Sequence, residues 1–345
     1  MNALIQLTCL ASLIAPRHQS EALGAKVAQG TADGAAPETS LVQSQEADPT
    51  LRGEVAADGH GATPADGIDQ RAIEEAGELM AFFYRRGSKS REGYIVNGRR
   101  AGLWTGWHSN GALSYQGGYQ DYVRVGKWSI YRKDGSKRAE GPYANDKRHG
   151  VWAMFHENGE VHQRGSFDEG LKSGEWRTWT LNKSLFDMKS WDNGLRHGPA
   201  EEFDESGSIS VAGKYKNGSK HGKWTTWHSA EVKKFEGRYV RGKEQGPWQR
   251  WFENGNLEAK GEYQEGKQEG PWKGYHDNGK LKFEGSFKSN KQIGHWKIYW
   301  TNGQKQSEGT YRDGKLQGRW NFWKRDGAVD SKNSGTYDTD KKIDG

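Results

Sequence analysis

The chain has 345 residues, only 32% of them hydrophobic, with a mean hydropathy of −1.04, 48 glycines and a formal charge of +6. So few aliphatic side chains exclude a thick two-layer core, while 16 Trp, 14 Tyr and 11 Phe exclude a chain that is disordered throughout. A single cysteine, Cys9, excludes a disulfide or a thiolate metal site in the rest of the chain.

Charge is unevenly placed. Residues 26–80 carry eleven Asp and Glu against Lys26, Arg52 and Arg71, a net of −8, which leaves +14 for residues 81–345. A basic body behind an acidic leader has two readings: attraction of an anionic partner, or a Lys-rich surface that keeps strand edges soluble.

Residues 1–25 open with a mostly apolar run, Ala3 to Ala15, too short to span a bilayer as a helix. Its length and the small residues Ala22, Gly24 and Ala25 fit a signal peptide, so export is favoured over a cytoplasmic location. Against it, no Lys or Arg precedes the run. Residues 26–67 contain no aromatic side chain and read as a disordered acidic linker. In residues 68–84, Ile68, Ala72, Ile73, Ala76, Leu79, Met80 and Phe83 recur at helical spacing. A capping helix is expected there, covering the open end of a repeat array that occupies the rest of the chain.

From residue 102 the chain repeats with a period of 24. Glycine falls at 102, 126, 150, 174, 198, 222, 246, 270, 294 and 318, ten times in unbroken register. With each of these as position 0, Trp stands at +2 in nine repeats, with Ala200 the exception. An aromatic stands at +5 in all ten: Trp107, Tyr131, Phe155, Trp179, Phe203, Trp227, Trp251, Tyr275, Tyr299 and Trp323. Asn-Gly or Asp-Gly fills +8 and +9 in seven, Gly +15 in eight of nine, and an aromatic +17 in nine of nine.

Asn-Gly favours a two-residue type I′ hairpin turn. That turn would place +2 opposite +15, so the Trp ring would lie across a residue with no side chain. The second Gly cluster, as at Gly242-Lys243, makes the return turn. The expected fold is therefore all-β: an elongated single-layer antiparallel sheet of about ten tandem 24-residue hairpins over residues 93–337. Position +5 has the parity opposite to +2. Either the sheet is aromatic on both faces, or a bulge re-aims that side chain.

The sequence Tyr239-Val240-Arg241-Gly242-Lys243-Glu244-Gln245-Gly246-Pro247-Trp248-Gln249-Arg250-Trp251-Phe252-Glu253-Asn254-Gly255-Asn256-Leu257 resembles the MORN-variant repeats of the YwqK-like antitoxin family. The resemblance covers about residues 93–337. It implies a protein that binds another protein, with toxin neutralisation as one form of that role, and it carries over no catalytic or ligand residue.

The pattern weakens over residues 174–245. Pro199-Ala200 replaces the expected Trp, Lys183 and Lys189 replace two glycines, and Ala230-Glu231 replaces a turn pair. Drift tolerated by neighbouring repeats is one reading, a specific contact the other. His108, His156, His228 and His276 all stand at +6, but pairs four strands apart are separated by ~19 Å, far beyond one zinc ion. No catalytic set stands outside the repeat register, so no enzymatic activity, cofactor or metal is expected.

A noncatalytic protein-interaction scaffold acting as a monomer is the leading expectation, with the +5 aromatics as candidate partner-binding residues. A cell-surface or cell-wall glycan binder is the alternative, since aromatic rows also stack on sugars. Nucleic acid is the less expected partner, and no transmembrane segment is expected.

Overall fold

The computed structural model describes residues 69–344. The candidate signal peptide (1–25) and acidic linker (26–67) lie outside the described residues. The fold is all-β, an open antiparallel sheet of 25 strands. It divides into two compact bodies, one of residues 69–233 with 239–243, the other of residues 234–238 with 244–344.

The first body begins with a short helix, α1 (Gln70–Ala76), capped by Asp69, whose carboxylate accepts from the N–H groups of Arg71 and Ala72. The expected helix over 68–84 is corrected here. It ends at Gly77, and Glu78–Phe83 is a strand, β1, paired with Lys89–Val96, β2. Leu79, Met80 and Phe83 satisfied a helical period, but pairing with β2 gives the backbone ladder partners that a lone helical turn lacks. The array also starts earlier than residue 93. Met80 sits opposite Gly93, as Trp104 does opposite Gly117, so β1 and β2 are a hairpin of the same kind with Met in place of Trp. The helix lies against the strands that follow: Gln70 Oε1 accepts from Leu103 N at 3.0 Å beside Gly102.

The Asn-Gly hairpin turn differs from the type I′ geometry expected from sequence. At Asn110-Gly111, Gly111 N donates to His108 O and His108 N to Ala112 O, with only Gly111 at positive φ (88°). This is a type I turn closed by a left-handed glycine, and the pairing register shifts between Gly106 and Trp107 as a result. Asn110 is held by side-chain bonds: Oδ1 accepts from Ala112 N and Nδ2 donates to Lys133 O of the next hairpin. Asn254, Asn278 and Asn302 repeat that second bond to Asp277, Thr301 and Arg325. The type I′ turn is the return turn instead. Both central residues have positive φ at Asn97-Gly98, Asp121-Tyr122, Asn193-Gly194 and Asp313-Gly314.

Tyr122 holds a bulky side chain at φ 71° where other repeats use Gly, Asp or Asn. Asp146 at the equivalent place accepts from Arg124 N at 3.0 Å. Tyr122→Asn relieves the strain and offers the same acceptor, so it is expected to stabilise by about 1 kcal/mol. Thermal unfolding of the variant beside the parent checks this; an unchanged or lowered midpoint counts against it.

The register across each hairpin is the expected one, with Trp104 opposite Gly117, Trp152 opposite Gly165 and Trp248 opposite Gly261. The ring, however, lies over the preceding glycine. A Cβ on Gly117 would overlap the indole of Trp128, and one on Gly141 would stand 2.5 Å from that of Trp152. The indole N–H supplies the reason. It donates to the carbonyl ten residues earlier in every one of nine repeats, as in Trp152 to Pro142 at 2.8 Å and Trp320 to Thr310 at 3.0 Å. Position 0 Gly, at positive φ, forms a bulge that interrupts the ladder there, and the indole provides a donor at the gap.

Candidate interaction faces

The two sheet faces have different chemistry. On one, the +2 and +17 rings pack edge to face in series, interrupted at Ala200, for example Trp128–Tyr143 (5.6 Å), Tyr143–Trp152 (5.2 Å) and Phe167–Trp176 (5.0 Å) between centroids. Trp104, Trp152 and Trp320 are 0% exposed. Positions +4 and +13, opposite one another, share this face and compensate in size: Gly106 faces Tyr115, Ile130 faces Ala139, Gly274 faces Phe283, and Ile298 faces Ser307.

The candidate +5 aromatics take the other face, by strand alternation from +2. The sheet is thus aromatic on both sides, the first of the two alternatives that the parity left open. Trp107, Tyr131, Phe155, Phe203, Trp227, Trp251, Tyr275, Tyr299 and Trp323 are half-buried, while Trp179 is buried at 3% exposure. Lysines sit on several of these rings, Lys89 on Trp107 at 5.1 Å, Lys137 on Phe155 at 5.8 Å and Lys305 on Trp323 at 5.0 Å. Each of these lysines also reaches a glutamate three residues on: Glu92, Glu140 and Glu308. Burial pushes the Glu140 carboxyl up, but Lys137 and Lys127 outweigh it and hold it below the usual glutamate range. In the second body a hydrogen bond from Lys273, reinforced by Lys297, does the same for Glu284.

The +6 histidines find a structural use that sequence reasoning missed. Nε2 of His108, His156 and His276 lies 3.0–3.1 Å from the +5 carbonyl of the next repeat, at Tyr131, Trp179 and Tyr299. Tyr84, Arg132 and Trp300 make the same bond from the same position. The position accepts any side-chain donor that reaches this carbonyl, imidazole among them, while Asp204 and Phe252 stand there without a donor group. Among the described residues, no three His, Cys, Asp or Glu side chains come together as a metal site. Among them too, no helix is long and apolar enough to cross a membrane.

Position +22 also went unnoticed in the sequence. In the first body it is basic six times running: Arg100, Arg124, Arg148, Lys172, Arg196 and Lys220. Each cation stacks on rings of the +2 and +17 series. Arg100 lies over Trp104 (4.7 Å) and Tyr119 (5.2 Å), and Arg148 over Trp152 (4.6 Å) and Phe167 (5.2 Å). Lys172 lies over Trp176 (3.9 Å), and Arg196 bridges Trp191 and Tyr215. The second body has Glu244, Gln268, Gln292 and Leu316 at this position. Burial, with the Glu244 carboxylate, pushes the Tyr263 hydroxyl up to about 12 there.

The irregular stretch at 174–202 is a compensated exchange. Lys189 stands opposite Ala200, so the side chain that replaces glycine occupies the place of the missing Trp ring. Its ammonium binds Asp187 and Glu202, both at 2.8 Å, and Asp187 in turn accepts from Thr178 Oγ1 at 2.8 Å. Burial alone would lower the Lys189 pKa, but the two carboxylates outweigh it and raise it. Gln163 links Thr178 to Lys172. A polar network replaces one rung of the ring series.

The profile of the MORN repeat variant matches five segments, residues 148–169, 196–217, 244–265, 268–289 and 292–313. A comparison with curated proteins gives no match. Among solved structures, this chain is similar at 10% identity to one in the crystal structure of TcdB2-TccC3-Cdc42, covering 70% of this chain and 16% of that one, with a TM-score of 0.16. The crystal structure of TcdB2-TccC3-TEV gives 12% identity over 76% of this chain and 18% of that one, again with a TM-score of 0.16. The chain thus spans under a fifth of the length of those chains, and similarity at that level carries no argument about its role.

Proposed function

We propose that this MORN-repeat chain is a noncatalytic scaffold, acting as a monomer, that binds another protein through its row of +5 aromatics. The observation that carries the reading is the division of labour between positions. The +2, +17 and +4 side chains pack against one another and six +6 side chains bond to the next repeat, whereas nine of ten +5 rings stay half-buried, three of them beneath lysines. Half-exposed aromatics rimmed by charge are the common make-up of protein contact sites. The resemblance to YwqK-like antitoxins supports a protein toxin as one partner class.

Affinity capture with the full chain tests this. A single protein partner retained by the parent should be lost from Trp107→Ala/Tyr131→Ala or from Tyr275→Ala/Tyr299→Ala, each with an unchanged circular dichroism spectrum. Trp179 is unsuited to the test because it is buried. Retention of the partner by both double variants would overturn the reading, and polysaccharide binding lost with the same rings would replace it with glycan recognition.

A further inference from the structure

We infer that the outer edge of β1 docks an extended segment of the protein partner. The segment adds to the sheet as an antiparallel strand with alternate apolar side chains, an acidic residue at its amino-terminal end and a basic one at its carboxyl-terminal end. The inference rests on the scaffold reading and states how that partner is held at the start of the array.

The backbone of β1 leads to this choice. Among the described residues β1 pairs with β2 alone, and α1 lies against β2 and the strand Arg99–Trp107. Tyr84 N donates to Ser88 O and Gly87 N to Tyr84 O, so both polar groups of Tyr84 turn into their own hairpin. The register slip between Phe82 and Phe83 leaves Ser90 as the extra residue on β2, so alternation along β1 is unbroken. The N–H and C=O groups of Leu79, Ala81 and Phe83 therefore face outward. In later repeats the counterparts of Ala81, Thr105 and Ser129, pair with Glu92 and Gln116 of the strand before. An open row of this kind accepts a further strand, and most proteins cover or blunt it. The strand Gly335–Asp338 is covered in that way by residues 341–344: Ile343 N donates to Thr336 O at 2.9 Å, and Thr336 N to Asp344 Oδ1 at 2.6 Å.

The edge also differs from the junctions between repeats. Position 0 is a positive-φ glycine in all ten repeats, whereas Glu78, which stands there in β1, is not at positive φ. No bulge interrupts the ladder, so a plain strand fits this edge better than another repeat. The side chains agree. Leu79 is 54% and Phe83 60% exposed, on the face of the +5 rings, and Phe83 is itself the +5 counterpart one repeat before Trp107. A strand docked here continues the proposed contact face. Charge sets its direction. Glu75 and Glu78 lie exposed at the amino-terminal end of β1, Arg85 and Arg86 at the other. An antiparallel segment that begins acidic and ends basic meets opposite charges at both ends, whereas the same segment laid parallel meets like charges.

The acetylated and amidated peptide Asp-Glu-Val-Thr-Val-Thr-Val-Lys-Lys and its reversed sequence are titrated against the full chain. With its valines opposite Phe83, Ala81 and Leu79, the peptide sets Asp against Arg85 and Lys against Glu78. It is expected to bind about tenfold more tightly than the reversed sequence. N-methylation of its Val amides should abolish binding and N-methylation of its Thr amides should spare it, because only the Val amides face β1. Ala81→Pro removes an outward donor at an edge position that tolerates proline, and Leu79→Lys places a charge at the exposed apolar contact. Each is expected to lose the peptide while keeping the parent's circular dichroism. Hydrogen exchange at Leu79, Ala81 and Phe83 should be fast in the free chain and slowed by the peptide. Equal binding of the two sequences, or equal tolerance of the two methylated forms, overturns the inference. So does protection of those amides before peptide is added, which would mean that a second copy or another segment of this chain occupies the edge. A partner lost from Tyr275→Ala/Tyr299→Ala but kept by Ala81→Pro leaves the scaffold reading intact and sinks this one. The reverse pattern overturns the +5 contact and supports the added strand.

Discussion

Trp152→Ala is expected to lower the local stability of its hairpin by about 3–5 kcal/mol, near the upper end for loss of a buried aromatic. Trp152 is 0% exposed and packs edge to face with both Tyr143 and Phe167. It also supports the Arg148 guanidinium at 4.6 Å and donates to Pro142 O at 2.8 Å. Truncation removes all four contacts together. It also uncovers Gly141, whose lack of a side chain has meaning only beneath the ring. Neighbouring glycine offers nothing with which to fill the hole, so the site collapses poorly, and the cost of such substitutions follows the cavity left behind.

Trp152→Phe separates the two contributions. It retains most of the ring area but removes the indole bond to Pro142 O, which keeps the bond from His149 N at 3.0 Å, so a smaller loss of about 1 kcal/mol is expected. Long repeat arrays do not unfold as one cooperative unit, so a global midpoint would dilute the effect. Hydrogen exchange of strands Lys137–Ala144 and Val161–Asp168, which flank the ring, reads the local opening energy directly. A Trp152→Ala loss below about 1 kcal/mol would mean that the ring series is not what holds the repeats together.

Much of this architecture was legible because a repeat presents the same pattern ten times. The period, the opposition of +2 and +15 and the all-β class follow from Gly and Trp in fixed register. What was misread concerns choices that two local geometries satisfy equally well. Asn-Gly fits a type I′ turn, and it also fits the type I turn with a left-handed glycine that forms at Asn110-Gly111. The separating signal was in the return turns, where Asn193-Gly194, Asn217-Gly218 and Glu265-Gly266 repeat a residue pair suited to positive φ. The direction of the Trp ring was hidden because glycine lies on both sides of it, and only the reach of the indole N–H to the preceding strand decides between them. Helical spacing over 68–84 failed because a short apolar segment meets period 3.6 and period 2 alike. The cation row was visible in principle, since +22 reads Arg, Arg, Arg, Lys, Arg, Lys, but no aromatic or glycine marks that position. The partner stays beyond reach of sequence because the recurrent residues of a repeat are those that build it.

The exchange at Lys189 and Ala200 predicts a strong coupling. Ala200→Trp alone drives an indole into the space held by Lys189, and overpacking of this kind costs about 1–3 kcal/mol. Lys189→Gly alone strips the cation from Asp187 and Glu202, whose carboxylates then face each other across the strands, for a loss of about 2 kcal/mol. With both changes made, the site regains the Trp-over-Gly arrangement of its neighbours, and the double variant should lie about 2–3 kcal/mol above the sum of the singles. Only the two carboxylates have no counterpart in the regular repeats, where Ala139 and Met154 stand at these places. The sign of the pH dependence gives an independent check. Lys189 has a folded-state pKa raised above the ordinary 10.5, so its contribution is complete below that value and is lost as pH rises through the folded one. The parent should therefore lose stability relative to the double variant only above about pH 10.5. Additive single effects, or a parent whose advantage disappears already near pH 8, would show that Lys189 does not stand in for the missing ring.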